Sequence, residues 1–296
     1  LSTHHLAEAL IEAGLPAGVL NNINGDAAKI GDEMLQNDTV KKISFTGSTR
    51  VGKILMDGAS QTNTKLALEL GGNAPVIIDA DVDVKRLAKS SVIAKLRNAG
   101  QVCVAPQRFF IHEDIYEEFV TAASDAVRDV KTGYGWEPET RMGPLINKRQ
   151  QQQVLQIIAD AKAAGAETIS GTVLQSKGWF VPPTILTNVT SASTEVNKEI
   201  FGPVMPLIPF THKEEVIEWA NNTPYGLSAY IWTNSVQKAF YYSEALEFGM
   251  VGINEWAPHA TEAPFGGWKQ SGIGHESGSE GLFEYMEKKL ISWGSL

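Results

Sequence analysis

The sequence predicts an α/β protein in which helices cover a parallel sheet. Strand and helix patterns alternate from the start of the chain, which is typical of parallel β-sheets. The 296 residues are enough for one large domain or two medium ones with a sizeable core. The composition, 43% hydrophobic and 20% charged, is that of a folded globule rather than of a disordered chain.

The first seventy residues alternate between helix and strand signals. The predicted elements are a helix over 3–13, a strand at 19–20, a helix over 26–35, a strand over 42–45, a helix over 49–59 and a strand over 65–70. Gly14 and Pro16 end the first helix, and Asp26 is expected to cap the second. In the last strand, period 2 places three leucines on one face and Glu69 on the other, just before Gly71-Gly72 forces a turn.

A second α/β region follows. The predicted helices span 84–97, 114–131, 147–164, 212–220 and 235–245, and the predicted strands span 108–111, 180–187, 204–209 and 228–232. Asn147 is expected to cap its helix. Glycines are dense from Gly266 onward, which indicates loops, and residues 288–293 form a last strand pattern.

Charge and composition exclude several classes of protein. The net charge of −9 argues against binding to nucleic acid or to an anionic membrane, which requires basic patches. No apolar run approaches the roughly 20 residues of a membrane span. Cys103 is the only cysteine, so the chain holds no internal disulfide, and we expect a reducing, cytoplasmic setting. The chain starts at Leu1 in the middle of a helical pattern, so we expect a piece of a longer protein.

A glycine-containing segment, Gly47 to Lys53, has the spacing of a phosphate-binding loop. The next residue is Ile54, whereas an ATPase needs a serine or threonine there to hold magnesium. The helix start at Ser48 still offers free N–H groups to a phosphate. A plain strand–helix turn capped by Ser48 explains the same residues and stays open.

Two residues are candidates for chemistry. Cys103 follows Gly100 at a helix end, where a nucleophile would be exposed, although a lone cysteine is more often a buried small hydrophobe. Glu69 ends a strand that otherwise reads as buried, and it is either a base or a capped carboxylate. The six histidines form no metal-binding pattern, because neither His112-Glu113 nor His275-Glu276 has a second histidine at the required spacing.

Six segments together resemble the aldehyde dehydrogenase superfamily, in order and in register. They are Ser44-Phe45-Thr46-Gly47-Ser48-Thr49, Leu68-Glu69-Leu70-Gly71-Gly72-Asn73-Ala74-Pro75, Asn98-Ala99-Gly100-Gln101-Val102-Cys103, Gly143-Pro144-Leu145-Ile146, Glu199-Ile200-Phe201-Gly202-Pro203 and Pro264-Phe265-Gly266-Gly267. The chain resembles the C-terminal three-fifths of the family. The stretches Leu96 to Gln101 and Lys269 to Gly272 are similar to the succinate-semialdehyde dehydrogenase branch.

The resemblance implies NAD(P)-dependent oxidation of an aldehyde to the acid. Cys103 would attack the aldehyde as a thiolate, hydride would pass to NAD or NADP, and Glu69 would activate the water that hydrolyses the thioester. The substrate class it implies is a semialdehyde such as succinate semialdehyde. Other aliphatic aldehydes, a cysteine hydrolase and a non-catalytic family member are the alternatives. A nicotinamide absorbance assay separates the dehydrogenase from the hydrolase.

The resemblance also assigns binding residues. The cofactor residues it implies are Gly47 and Ser48 at the pyrophosphate, Leu70 at the nicotinamide amide, Glu199 at the nicotinamide ribose and Phe201 near the ring. Arg97 would clamp a substrate carboxylate with its planar donor fork, and Phe265 is assigned to the substrate. The alternative for Arg97 is a structural role, in which its positive charge interacts favourably with the dipole at the helix end. The branch's second cysteine is Ala105 here, so no internal disulfide switch can operate.

The resemblance divides the chain into four parts. Residues 1–70 would be the C-terminal part of an incomplete doubly wound cofactor-binding domain, and residues 71–270 an α/β catalytic domain. Residues 271–286 would return to the first domain, and residues 287–296 would form a strand for a homodimer or homotetramer. Family members start well before Leu1, so we expect the 296-residue chain alone to be inactive or nearly so.

Overall fold

The computed structural model describes residues 1–173, 175, 177–193 and 197–295. Its helices are α1 Ser2–Glu12, α2 Ala27–Gln36, α3 Thr49–Ala59, α4 Val84–Leu96, α5 Glu113–Arg128, α6 Lys148–Ala163, α7 Lys213–Asn221, α8 Val236–Ala245 and α9 Gly278–Phe283. Its strands are β1 Lys42–Thr46, β2 Lys65–Glu69, β3 Ala74–Ile78, β4 Pro106–His112, β5 Glu167–Ser170, β6 Thr184–Thr187, β7 Val204–Phe210, β8 Tyr225–Gly226, β9 Ser228–Trp232, β10 Met250–Ile253, β11 Trp268–Lys269 and β12 Gly272–Ile273.

The chain divides into two compact units, of which the first comprises Leu1–Ile43 and Lys53–Lys65. Asp26 caps α2 by accepting hydrogen bonds from the N–H groups of Ala28 and Lys29. A methyl group at Gly58 would lie 2.6 Å from the side chain of Leu35, so glycine is what allows α3 and α2 to approach this closely. The cap confirms the prediction made for Asp26.

The second unit, Ser44–Gly52 and Leu66–Leu296, is built on a large sheet with the strand order β10-β9-β3-β4-β7-β6-β5. Neighbouring strands run parallel except for β5, which is antiparallel to β6. The central strands β3 and β4 are almost wholly buried, as expected for parallel strands covered on both faces. Helix α4 is paired with α5 over the sheet. The α/β prediction is confirmed.

Strands of two smaller sheets also belong to this unit. Strand β12 pairs antiparallel with β2, with Gly272 opposite Glu69. Strand β11 pairs antiparallel with β8. These pairings bring the glycine-rich segment after Gly266 to the ends of β2 and β9, which is what positions the site described below.

Some predicted elements are wrong. Val19-Leu20 lies in a bend, not in a strand. Residues 287–295 form neither strand nor helix within this chain, and position 296 lies outside the described residues. Because that strand was expected to pair with another subunit, its role in oligomerisation stays a prediction, as do the four domain boundaries. No helix in the described residues has both the length and the apolar character of a membrane span.

Candidate active site

Cys103 lies in a loop at the amino end of β4. The loop follows a short 3₁₀ turn, Arg97–Gly100, in which Asn98 and Ala99 have positive φ angles of 50° and 54°. The side chains of Asn98 and Gln101 each donate to the other's backbone carbonyl at 3.1 Å, which locks this strained turn. Cys103 is thereby held half-exposed, as expected for a nucleophile rather than for a core cysteine.

Glu69 is the last residue of β2, and its side chain is only 3% exposed. In the described residues its Oε2 atom has no hydrogen-bond partner. Burial, followed by the nearby carboxylate of Glu276, raises the pKa of Glu69 to about 8. A carboxyl group with this pKa can take up and release a proton near neutral pH, as a general base must.

Cys103, Glu69 and Glu199 interact electrostatically. Burial raises the pKa of the Cys103 thiol, and the negative charges of Glu69 and Glu199 raise it further. Hydrogen bonds from the N–H groups of Val104 and of Cys103 itself oppose this rise. The structure therefore brings these three residues close enough to interact, and the charge of either acid disfavours the thiolate.

The turn Gly71-Gly72 joins these residues. The Gly72 N–H donates to Glu199 Oε1 at 3.0 Å, and a methyl group at Gly72 would lie 2.5 Å from the Cys103 carbonyl oxygen. A methyl group at Gly71 would lie 2.7 Å from Glu199 Oε2. Gly72 must therefore be glycine, because a side chain there would meet the backbone of the nucleophile's loop, whereas a side chain at Gly71 would displace the Glu199 carboxylate.

Ser271 holds this turn from the other side, and the sequence analysis missed it. Its hydroxyl donates to the Gly71 carbonyl at 2.7 Å and accepts from the Gly226 N–H at 2.9 Å. Its carbonyl accepts from the Leu70 N–H at 2.8 Å. Ser271 thus ties the residues that follow Glu69 to β8, and no local sequence signal marks a contact across 200 positions.

A buried lysine was also missed. Lys95 lies in the last turn of α4 and is 0% exposed, with its Nζ atom 3.5 Å from Gln107 Oε1. Burial lowers the pKa of Lys95 to about 7, and the charge of Glu199 opposes this. Burial in turn raises the pKa of Glu199, while the Gly72 N–H and the charge of Lys95 lower it. Lys95 therefore stabilises the ionised form of Glu199.

The expected pyrophosphate residues lie at the start of α3. Ser48 is exposed and its hydroxyl accepts from the Val51 N–H at 3.4 Å, so it caps the helix. The Gly47 N–H donates to the Glu69 carbonyl at 2.9 Å, which places this turn beside the end of β2. A capped turn next to Glu69 agrees with both interpretations of the segment.

Leu70 and Phe201 are the residues expected at the nicotinamide. The Leu70 side chain is packed in the interior, whereas Phe201 is held through its backbone. Leu70 is buried, and a methyl group at Gly52 would lie 2.6 Å from its side chain. Phe201 has a positive φ of 48°, and its carbonyl accepts from Gln150 Nε2 at 2.9 Å. Gln150 in α6 therefore fixes the backbone just after Glu199.

The two expected substrate residues differ in position. Phe265 packs on the apolar cluster of Val104, Leu227 and Met250, together with Cys103. Its backbone pairs with that of Glu276 through two hydrogen bonds of 2.7 Å. This pairing also positions Glu276, whose carboxylate raises the pKa of Glu69. Arg97 is exposed and lines the groove between α4 and α5. The structure thus places Phe265 at the nucleophile and Arg97 in the neighbouring groove.

The geometry contains no metal centre in the residues that the structure describes, since no three histidine, cysteine or acidic side chains cluster there. The site combines a partly buried thiol with a buried carboxyl group beside a glycine turn. The sequence profile of the Aldehyde dehydrogenase family matches residues 1–291. The chain belongs to this family.

Individual relatives agree with this membership. It is 46% identical over 291 residues to the mitochondrial succinate-semialdehyde dehydrogenase of Oryza sativa, covering 98% of the chain and 55% of that protein. It is 39% identical over 293 residues to the succinate-semialdehyde dehydrogenase of Paenarthrobacter nicotinovorans, covering 98% of the chain and 65% of that protein. The chain therefore spans a little over half of these relatives.

A solved structure confirms the fold. The NAD⁺ complex of aldehyde dehydrogenase from Bacillus cereus superposes with a TM-score of 0.93 at 41% identity, covering 97% of this chain and 59% of that one. The family resemblance and the aldehyde-dehydrogenase-like α/β fold inferred from the sequence are both confirmed. The roles of the individual site residues stay predictions.

Proposed function

We propose that the chain supplies the nucleophile and the base of an NAD(P)-dependent aldehyde dehydrogenase that converts a semialdehyde, such as succinate semialdehyde, to the acid. The observation that carries the proposal is the buried carboxyl of Glu69, which acts electrostatically on Cys103 and whose Oε2 atom has no hydrogen-bond partner in the described residues. The names of the plant and bacterial relatives support the substrate class.

Cys103 carries out the first half of the reaction. Its thiolate attacks the aldehyde carbon and forms a C–S bond, and the oxyanion that develops accepts a hydrogen bond from the Cys103 N–H. Loss of hydride from this adduct leaves a thioester on Cys103. A nicotinamide cofactor, when bound, would supply the acceptor for that hydride.

Glu69 carries out the second half. Its carboxylate takes a proton from water, the hydroxide attacks the thioester carbon, and the acid leaves as the C–S bond breaks. Glu276, which raises the pKa of Glu69, is the nearby carboxylate to which we assign onward passage of that proton. The overall reaction consumes one aldehyde, one oxidised cofactor and one water, and gives the acid, the reduced cofactor and a proton.

The residues present fit a nicotinamide cofactor. Two acids act on Cys103, so the pocket favours a ligand with a positive ring such as oxidised nicotinamide. The Gly71-Gly72 turn gives a backbone surface without side chains next to Glu199, whose carboxylate suits ribose hydroxyls. Gly47, Ser48, Leu70 and Phe201 complete the proposed cofactor set, and a homo-oligomer is the proposed assembly.

The hydrolase alternative has less support. In the described residues, the groups that act on the Cys103 pKa are carboxylates and backbone N–H groups rather than a histidine base. A cysteine hydrolase needs such a base to activate its thiol.

The test uses two proteins, the chain alone and a chimera in which the preceding part of the Oryza sativa relative is joined before Leu1. With succinate semialdehyde and NAD or NADP, the chimera should form reduced nicotinamide, and the change C103A should abolish this. The family resemblance implies that the segment before Leu1 supplies a second oxyanion donor, and loss of one such donor costs about 10²–10³ in rate, so the chain alone should be slower by at least that factor. Acid formation without reduced nicotinamide would instead identify a hydrolase.

Substrate class is tested with an arginine variant. In the chimera, R97M should lower kcat/KM for succinate semialdehyde by about tenfold or more and leave butanal unchanged, because only the former has a carboxylate to clamp. The exposed Arg128, paired with Asp125, supplies the matched control R128M. Preference of the unmodified chimera for butanal by more than about tenfold would contradict the role given to Arg97.

A further inference from the structure

Asn73 is a buried amide that the mechanism above does not use. It is 1% exposed and lies between the Gly71-Gly72 turn and the first residue of β3. Its Nδ2 atom donates to the Lys198 carbonyl at 3.2 Å, and its Oδ1 atom accepts from Arg108 Nε at 2.9 Å. Both ends of the amide are therefore occupied, so its orientation is fixed.

Arg108 in β4 fixes Asn73 rigidly. Its guanidinium also donates to the carbonyls of Asn73, Trp219 and Ala220, at 3.1, 2.7 and 2.8 Å. Trp219 and Ala220 lie in the last turn of α7, whose carbonyl end carries partial negative charge. In the described residues, all the hydrogen-bond acceptors of this buried cation are neutral oxygens. Its planar donors thus join Asn73 to the end of a helix.

These contacts fix the position of Glu199. Asn73 holds the carbonyl of the preceding residue, Lys198, while the Gly72 N–H holds Glu199 Oε1 at 3.0 Å. The backbone before Glu199 is thus bound by Asn73, and its carboxylate is bound by the adjacent residue, Gly72. That turn also touches the Cys103 carbonyl, so the same contacts set where Glu199 lies relative to the nucleophile.

We infer that Asn73, clamped by Arg108, is a positioning residue that holds the Glu199 carboxylate beside Cys103 and thereby shapes the ribose end of the cofactor site. The second part of this inference rests on the proposed function. The first part concerns only groups of this chain. The two parts are tested separately.

The first test is a double-mutant cycle on the chain alone, read by the rate of iodoacetamide alkylation. Cys103 is the only cysteine, so alkylation reports on it alone. E199Q removes a charge that opposes the thiolate and should speed alkylation about threefold at pH 8. In N73A, and in N73D, which keeps a partner for Arg108, E199Q should change the rate by less than about 1.5-fold.

Asn254 supplies the matched control. Its amide also spans two backbone groups, Thr233 N–H and Thr233 C=O, but it follows β10 at the carboxyl edge of the large sheet, whereas Cys103 precedes β4 at the amino edge. N254A should leave the threefold effect of E199Q intact. An equal effect of E199Q in N73A and N73D, or none in the unmodified chain, would overturn the inference.

The second test measures cofactor binding by the chimera through quenching of tryptophan fluorescence. N73D should weaken binding by about tenfold with little change in the KM for aldehyde, a split that general destabilisation would not produce. If the unmodified chimera binds no nicotinamide cofactor, the proposed function fails, while the alkylation cycle still decides the role of Asn73. If it binds and N73D binds equally well, the cofactor part of the inference is wrong and the proposed function stands.

Discussion

Replacing Glu69 by glutamine should stabilise the protein at pH 8 and have little effect near pH 4.5. In the folded protein the pKa of Glu69 is about 8, against an ordinary value of 4.5. Between these values the unfolded chain has released the proton while the folded protein still holds it. Raising the pH across this window therefore favours the unfolded state, and stability is lost.

The size of the effect follows from the same two values. They differ by about 3.5, and each pKa unit is worth about 1.4 kcal/mol, so ionisable Glu69 costs at most about 5 kcal/mol at pH 8. Glutamine has no proton to release, so E69Q escapes this cost. Below pH 4.5 both side chains are neutral, and the difference in unfolding free energy should shrink toward zero.

The assay is urea unfolding followed by circular dichroism at pH 5, 6, 7 and 8. The gain in E69Q should grow steadily with pH. E118Q, which changes an exposed carboxylate on α5, is the control and should stay within about 0.5 kcal/mol of the unmodified protein throughout. A gain in E69Q that is the same at pH 5 and pH 8 would refute the reasoning, because it would show that Glu69 ionises normally.

Two further predictions concern neighbouring groups. G72A should lower the free energy of unfolding by about 1–3 kcal/mol and change the rate of Cys103 alkylation, because its new methyl group would lie 2.5 Å from the Cys103 carbonyl oxygen. G143A is the control, because a methyl group there would meet open space. An unchanged alkylation rate in G72A would contradict this, because it would show that the Cys103 loop moves away from the methyl group without affecting the thiol. K95M should stabilise most below pH 7, by up to about 5 kcal/mol, because folded Lys95 there carries its charge in a buried site. The gain should vanish toward pH 10.5, since between pH 7 and 10.5 folded Lys95 has lost the proton that unfolded Lys95 still holds. Urea midpoints from pH 6 to 10 test this, and a gain that rises with pH would contradict it.

The sequence predicted the long helices well because their signals are local. Asn147 caps α6 by accepting from the Gln150 N–H at 2.9 Å, as expected. The bounds of α5 and α6 fall within three residues of the prediction. Caps and apolar periodicity depend on neighbours a few positions away, so a single sequence contains them.

Strand β3 was missed although it lies at the centre of the large sheet. Its start, Ala74-Pro75, reads as a turn because it follows two glycines and contains proline. The structure accommodates Pro75 next to a register irregularity at the beginning of the strand, where proline is tolerated. The edge strands β5 and β10 were missed because each has only four residues.

The site was predictable only in part, for a related reason. Cys103 and Glu69 stand in motifs that could be recognised in order along the chain. Lys95, Ser271 and Glu276 act through contacts between segments that are far apart in sequence, and their own surroundings carry no signal. Ser271 reaches Gly71 across 200 positions, and only the pairing of β12 with β2 makes this contact visible.

The electrostatic coupling between Cys103 and Glu69 suits the order of the proposed steps. Each negative charge disfavours the other, so the pair resists carrying two charges at once. Thiolate attack then proceeds while Glu69 keeps its proton. Once the sulfur is acylated it can no longer become an anion, so ionised Glu69 then meets no repulsion from a thiolate. In the proposed mechanism, Glu69 is therefore free to act as the base when the thioester needs water.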